Sequence, residues 1–270
     1  MSRLDECFKS LQLSHQKALI PFITAGDPNA DFTLSCMHQM VDAGASMIEL
    51  GVPFSDPMAD GEVIQQASER ALANGMSLKG VIDIVKSFRK TNQKTPVILM
   101  GYLNPIEFMG YEVFSKAASE AGVDGVLTVD IPPEESADLI EAYARYDIAP
   151  IFLLSPTSNE SRIKKVSAVA KGYIYYVSLK GVTGAGHLEL EHVEQKIRQI
   201  KQLTSLPIAV GFGVKNADIA AKIAKIGDGV VVGSALINCI TDYVGDERQG
   251  QQAISDLLND MRNAMDSAIQ

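Results

Sequence analysis

Three carboxylates crowd one stretch of the chain, Ile48-Glu49-Leu50-Gly51-Val52-Pro53-Phe54-Ser55-Asp56-Pro57-Met58-Ala59-Asp60-Gly61. The apolar run from Ser46 to Leu50 is expected to be a strand, with Glu49 close to its end. The loop that follows, stiffened by Pro53 and Pro57, holds Asp56 and Asp60. A carboxylate inside a buried parallel strand is costly unless it is paired or used, because desolvation penalises its charged form. Carboxylates supplied by a strand end and by the next loop suit a reaction that moves protons on both sides of one substrate. The structural alternative for Glu49 is a salt bridge in a barrel wall, and Asp56 has the plainer role of loop packing or a turn cap.

The elements that must hold these groups follow from the apolar pattern. Short apolar runs recur at Ala18–Thr24, Ser46–Leu50, Pro96–Gly101, Gly125–Val129, Ala149–Leu154, Tyr173–Val177, Ile208–Gly211 and Gly229–Val232. Their hydrophobicity is continuous rather than alternating, which points to strands buried on both faces of a parallel sheet. Amphipathic segments separate them. Phe32, Cys36, Met40 and Val41 share one helical face, and Ile254, Leu257, Leu258, Met261 and Met265 share another. Asp130 to Glu135 has the composition of a strand exit and helix start, with prolines and acids where the first turn favours them. Eight strand–helix units in 270 residues make an α/β protein of the (β/α)8 TIM-barrel class, one domain over 1–270. An extra N-terminal helix (Leu4 to Leu13) and additional helices after strands 2 and 8 are expected, those after strand 2 over Glu62–Asn74 and Leu78–Thr91. A doubly wound open sheet is the competing architecture; it needs fewer strands and no closure.

In such barrels the site lies at the C-terminal ends of the strands. Strand 6 leaves through Ser178-Leu179-Lys180-Gly181-Val182-Thr183-Gly184-Ala185-Gly186, strand 7 through Gly211-Phe212-Gly213-Val214, and strand 8 through Gly233-Ser234-Ala235. Glycines let backbone N–H groups approach an anion, and a helix starting after Gly233-Ser234 adds its positive end. Consecutive glycine-rich exits in the late units therefore predict a phosphate site that needs no Lys or Arg.

From Pro21-Phe22-Ile23-Thr24-Ala25-Gly26-Asp27-Pro28 through the Glu49–Gly61 stretch to Gly233-Ser234, nearly the whole chain resembles the tryptophan synthase α subunit family, lyases that release indole from indole-3-glycerol phosphate. The resemblance implies retro-aldol cleavage with Glu49 and Asp60 as catalytic residues and Tyr175 on the substrate side. It implies an indole pocket lined by Phe22, Met100, Leu127 and Phe212, and a mobile loop in which Thr183 meets Asp60. Gly184, Gly213 and Ser234, with Gly233 beside it, match phosphate-contacting positions. It also implies a pyridoxal-phosphate β subunit as partner in an α2β2 complex, with no cofactor in this chain. Two positions depart from the family pattern: Glu62 stands where many members have Pro, and Leu179 where some have Arg. Both flank mobile loops, so they bear on loop closure.

Other classes are set aside on composition. A net charge of −9 with no Lys/Arg run excludes nucleic-acid binding as the main role. The charged N-terminus lacks the apolar core of a signal peptide, and no apolar run approaches ~20 residues, so a cytoplasmic protein is expected. Cys7, Cys36 and Cys239 lack metal or disulfide spacing and are expected to be small, largely buried hydrophobes. His187 and His192, near Glu189 and Glu191, have a spacing that suits a solvated helix start better than a metal. Two rival functions remain. One is another phosphosugar barrel, an isomerase or a Schiff-base aldolase using Lys180. The other is a silent subunit that only activates its partner.

Overall fold

The computed structural model describes residues 1–177, 186–211 and 213–269. Eight parallel strands close into a barrel in sequence order. They are β1 (Ala18–Thr24), β2 (Ile48–Gly51), β3 (Val97–Gly101), β4 (Gly125–Thr128), β5 (Ala149–Leu154), β6 (Ile174–Val177), β7 (Ile208–Gly211) and β8 (Gly229–Val232). β8 returns to β1 in the register Ala18↔Gly229 through Pro21↔Val232. All seven residues of β1 are buried, as continuous hydrophobicity requires of a strand covered on both faces.

Helices form the outer layer: α1 (Arg3–Leu13), α2 (Ala30–Asp42), α3 (Glu62–Ala73), α4 (Leu78–Phe88), α5 (Leu103–Met109), α6 (Tyr111–Ala121), α7 (Ala137–Arg145), α8 (Glu160–Val169), α9 (Gly186–Lys201), α10 (Ala217–Ala224), α11 (Ser234–Asp242) and α12 (Glu247–Ile269). One apolar cluster lies between this ring and the barrel and includes Phe32, Cys36 and Met40 of α2 and Ile254, Leu258, Met261 and Met265 of α12. Each of the Phe, Met, Ile and Leu side chains contributes ~1.5–3 kcal/mol on burial. A second cluster fills the barrel interior, with Ile20, Ile98, Leu127, Ile151, Tyr173, Tyr175 and Val231. Leu4 of α1 is fully buried in that interior cluster, and Phe8 packs on Tyr173 with ring centroids 6.0 Å apart, so α1 closes the N-terminal end of the barrel. A capping box between Ser2 and Asp5 starts this helix.

The expected N-terminal helix and the pairs after strands 2 and 8 are present as α1, α3 with α4, and α11 with α12. Three boundaries differ in instructive ways. β2 starts at Ile48 rather than Ser46, because Ser46 caps the ladder instead: its N–H donates to Leu19 O at 2.8 Å and its Oγ accepts from Leu19 N at 3.1 Å. Pro133–Glu135 is a 3-10 turn, with α7 starting only at Ala137. Two helices follow β3 where one was expected: the extra one, α5, carries Pro105 in its first turn, where a missing N–H is tolerated, and ends at Gly110 with φ +87°.

Cys36 is buried, Cys7 and Cys239 half-buried, and burial pushes the thiols of Cys7 and Cys36 up to about 11 and about 12. Among the described residues no helix is long and apolar enough to cross a membrane.

Candidate active site

Glu49 occupies an inward position of β2, in register with Phe22 of β1 and Ile98 of β3, and is fully buried. Its Oε1 accepts a hydrogen bond from the Tyr173 hydroxyl. Its Oε2 has no partner among the described residues. A buried carboxylate with one empty oxygen cannot hold its charge cheaply. Desolvation accordingly pushes the Glu49 pKa from its ordinary 4.5 up to about 7, and the Tyr173 bond offsets only part of the rise. No cation pairs with this carboxylate among the described residues, so the wall salt bridge is not what holds Glu49.

Asp60 stands in the segment between β2 and α3 and is partly buried. Its Oδ2 accepts from the Tyr102 hydroxyl at 3.0 Å, and the same hydroxyl accepts from Ala59 N at 3.0 Å. Burial raises its pKa while the Tyr102 bond lowers it. Asp56, in contrast, is exposed; its carboxylate accepts from the neighbouring Ser55 hydroxyl and its carbonyl from Met58 N, in keeping with a local turn role.

Tyr175 lies on the same face of β6 as Tyr173, two residues on, because side chains alternate along a strand. Its hydroxyl pKa is raised by burial and then by both Glu49 and Asp60, and Asp60 lines the same cavity as Tyr175. Gly211 of β7 leaves the room it needs: a Cβ there would stand 2.2 Å from the Tyr175 Oη and 2.8 Å from Cζ. Gly51 does the same for Phe22, whose Cζ would lie 2.7 Å from a Cβ at 51. A Gly211→Ala variant must displace the Tyr175 ring. It is expected to lose about tenfold in kcat/KM for the reaction this site performs, since misplaced groups forfeit proximity. Unchanged kinetics would show that the ring position is immaterial.

A cavity of about 550 Å³ opens at the C-terminal end of the barrel, and Asp60, Met100, Val129, Phe152 and Tyr175 line it. A narrow cleft beside it is lined by Phe22, Asp60 and Met100. Asp60, Phe22, Met100 and Tyr175 thus converge. Leu127 belongs to the interior cluster with Met100 and Tyr175 but is fully buried and lines neither space. Gly213, with φ +58°, follows β7, and Gly233 caps α11 with Ser234 as its first residue after β8. β7 and β8 pair directly, in register from Ala209↔Gly229 to Gly211↔Val231, so Gly213 and Gly233 each come two residues after the last of these paired positions. Thr183, Gly184 and Phe212, with Leu179 and Lys180, lie outside the described residues. Glu62 is exposed at the first position of α3. Among the described residues no group of His, Cys, Asp and Glu is placed to hold a metal ion.

Two site residues had no place in the sequence-based set. Tyr173 was within reach, since the i, i+2 spacing from Tyr175 puts both on one strand face. Tyr102 was not, because its contact with Asp60 joins the exits of two different strands.

A closed parallel barrel that gathers two carboxylates with raised pKa values at its C-terminal end has the form of a (β/α)8-class enzyme. Comparison with known proteins narrows the class. The chain belongs to the tryptophan synthase alpha chain family, whose model, described as "Tryptophan synthase alpha chain", matches residues 8–266. It is 56% identical to the tryptophan synthase alpha chain of Thioalkalivibrio sulfidiphilus over 266 residues, covering 98% of this chain and 100% of that protein. It is also 56% identical to that of Methylococcus capsulatus over 267 residues, covering 99% and 100%. The crystal structure of tryptophan synthase subunit alpha from Legionella pneumophila superposes with a TM-score of 0.92 at 45% identity, covering 99% of both chains.

Proposed function

We propose that this chain cleaves indole-3-glycerol phosphate to indole and glyceraldehyde 3-phosphate, as the α subunit of tryptophan synthase. The observation that carries the mechanism is the Oε2 of Glu49, fully buried, without a partner among the described residues, and on a group whose pKa is raised to about 7. Protonated Glu49 gives its proton to indole C3, making the ring a cationic indolenine. The resulting carboxylate takes the proton of the hydroxyl on the adjacent glycerol carbon. The C–C bond then breaks, its electron pair returns to the ring as indole leaves, and an aldehyde forms on the glycerol fragment. Glu49 ends protonated, as it began. Asp60, ionised, accepts the indole N–H and stabilises the positive charge that develops on that nitrogen. Tyr175 orients the glycerol moiety, Phe22 and Met100 flank the ring, and Leu127 supports it from below. Gly213, Gly233 and Ser234 hold the phosphate through backbone N–H groups, with Gly184, Thr183 and Phe212 completing the site.

The chain is taken to act in the cytoplasm, without a cofactor of its own, beside a pyridoxal-phosphate β subunit in an α2β2 complex. Met58 and Phe108, 83% and 96% exposed on the segments after β2 and β3, are large apolar side chains that such a partner would cover. The test is indole release from indole-3-glycerol phosphate by the purified chain, alone and with a β subunit. Release that rises with the partner supports both chemistry and association. A folded chain that releases none under either condition is not this lyase.

A further inference from the structure

Tyr102 leaves β3 at the C-terminal end of the barrel, only 3% exposed, and touches the segment between β2 and α3 at three points. Its hydroxyl donates to Asp60 Oδ2 at 3.0 Å and accepts from Ala59 N at 3.0 Å, and its ring stacks on Phe54 with centroids 5.3 Å apart and planes inclined by 29°. A phenol carries one proton, so with Ala59 N–H as donor to its lone pair that proton is directed to Asp60. The backbone on one side and the aromatic stack on the other leave the hydroxyl little freedom to turn elsewhere. The Asp60 Oδ1, by contrast, takes no hydrogen bond from a described residue.

Resting on the lyase reading above, we infer that Tyr102 is a positioning residue for that reaction: it occupies one carboxylate oxygen of Asp60, keeps the group ionised, and leaves the other oxygen for the indole N–H. The direction of its effect follows from the competing influences on Asp60, since burial favours the neutral acid and the Tyr102 bond favours the anion. The other titratable groups around Asp60 are Tyr175 and Arg162 in the same cavity, Asp130 at the exit of β4, Glu49 on β2, and Asp56 and Glu62 on its own segment. None of them hydrogen-bonds to Asp60 among the described residues, so Tyr102 is the group whose removal changes its titration most directly. A neutral Asp60 can still sit beside the ring, but it cannot offset the charge forming on the indole nitrogen.

The experiment is Tyr102→Phe, which keeps the ring against Phe54 and removes only the hydroxyl. A hydrogen bond to a charged group carries enough free energy that kcat is expected to fall about tenfold, with a smaller change in KM. The acid limb of the kcat/KM profile should move to higher pH. In an Asp60→Asn background the same substitution should change turnover less than twofold, because the carboxylate it acts through is gone. A purely structural tyrosine would lower stability without moving the acid limb. In parallel, the side-chain carboxyl carbon of Asp60, assigned by its loss in Asp60→Asn, is followed by NMR as a function of pH in both proteins. Titration at higher pH in Tyr102→Phe supports the inference; coincident titration curves, or wild-type turnover with an unmoved acid limb, overturn it. Failure of the wild-type chain to release indole defeats the lyase reading instead, while the NMR titration still decides whether Tyr102 sets the state of Asp60.

Discussion

Glu49→Gln is expected to lower kcat for indole release by about 10²–10⁴, the range typical of a lost general acid–base group. Gln has nearly the shape of Glu, and its side-chain oxygen can still accept from the Tyr173 hydroxyl, so the barrel wall and the glycine-rich strand ends are undisturbed. What it lacks is a proton to deliver to indole C3 and a charge with which to recover one. Binding of glycerol 3-phosphate, a fragment that reports only on the phosphate and glycerol subsites, should therefore be unchanged, which separates lost chemistry from a damaged site. The pH profile of the wild-type chain gives a second reading of the same assignment. Cleavage needs Glu49 protonated, so kcat/KM should decline as pH rises through about 7. It needs Asp60 ionised, so the rate should also decline on the acid side, at a pH above the ordinary Asp value because burial raises that group. Near-normal turnover by the Gln variant would remove Glu49 from the mechanism, and an alkaline limb far from neutrality would remove the account of how burial tunes it.

The barrel was legible because each strand is covered on both faces, and double coverage writes a continuous apolar run into the sequence. β1, β5, β7 and β8 coincide with their runs, while the ends of the others shift by a residue or two, as at the start of β2, where Ser46 caps the ladder. α5 was not legible because it is only seven residues long and has Asn104-Pro105 directly after its first residue, a pair that resembles a turn as much as a first helical turn. At the site, Glu49 and Asp60 were visible because a charged residue in an apolar strand and prolines in the next loop are local signals. Leu127 shows the limit of such signals. Alternation says which face of β4 it occupies, but not how deep in the barrel it stands, and that depth decides whether it lines the cavity or the packing beneath it. The contacts of Tyr102 and Tyr173 are both tertiary: the first joins the exits of the neighbouring strands β2 and β3, the second crosses the barrel from the start of β6 to β2, and only closure of the barrel brings Tyr173 to its carboxylate.

The same burial that suits Glu49 to its proton transfers should make it a liability to the fold, with a pH window that can be stated in advance. In the unfolded chain this carboxyl loses its proton around 4.5, whereas in the barrel it keeps it up to about 7. Between those values the unfolded state binds fewer protons than the folded one, so raising the pH favours unfolding. The stabilisation from the raised pKa is fully present below about 4.5 and is lost as pH climbs through about 7. A shift of that size corresponds to roughly 3 kcal/mol. Glu49→Gln does not titrate, so its stability relative to the wild type should improve by roughly 3 kcal/mol between pH 4.5 and pH 8. Every other titrating group is common to both chains and cancels in that difference, as does any fixed cost of burying the amide. Urea unfolding of both proteins at the two pH values measures it. A difference that stays constant with pH would mean that Glu49 titrates in the barrel as it does in water, and that its place in the strand does not tune it for catalysis. A difference that grows as expected would show the chain giving up stability at neutral pH to keep a protonated carboxyl beside its substrate.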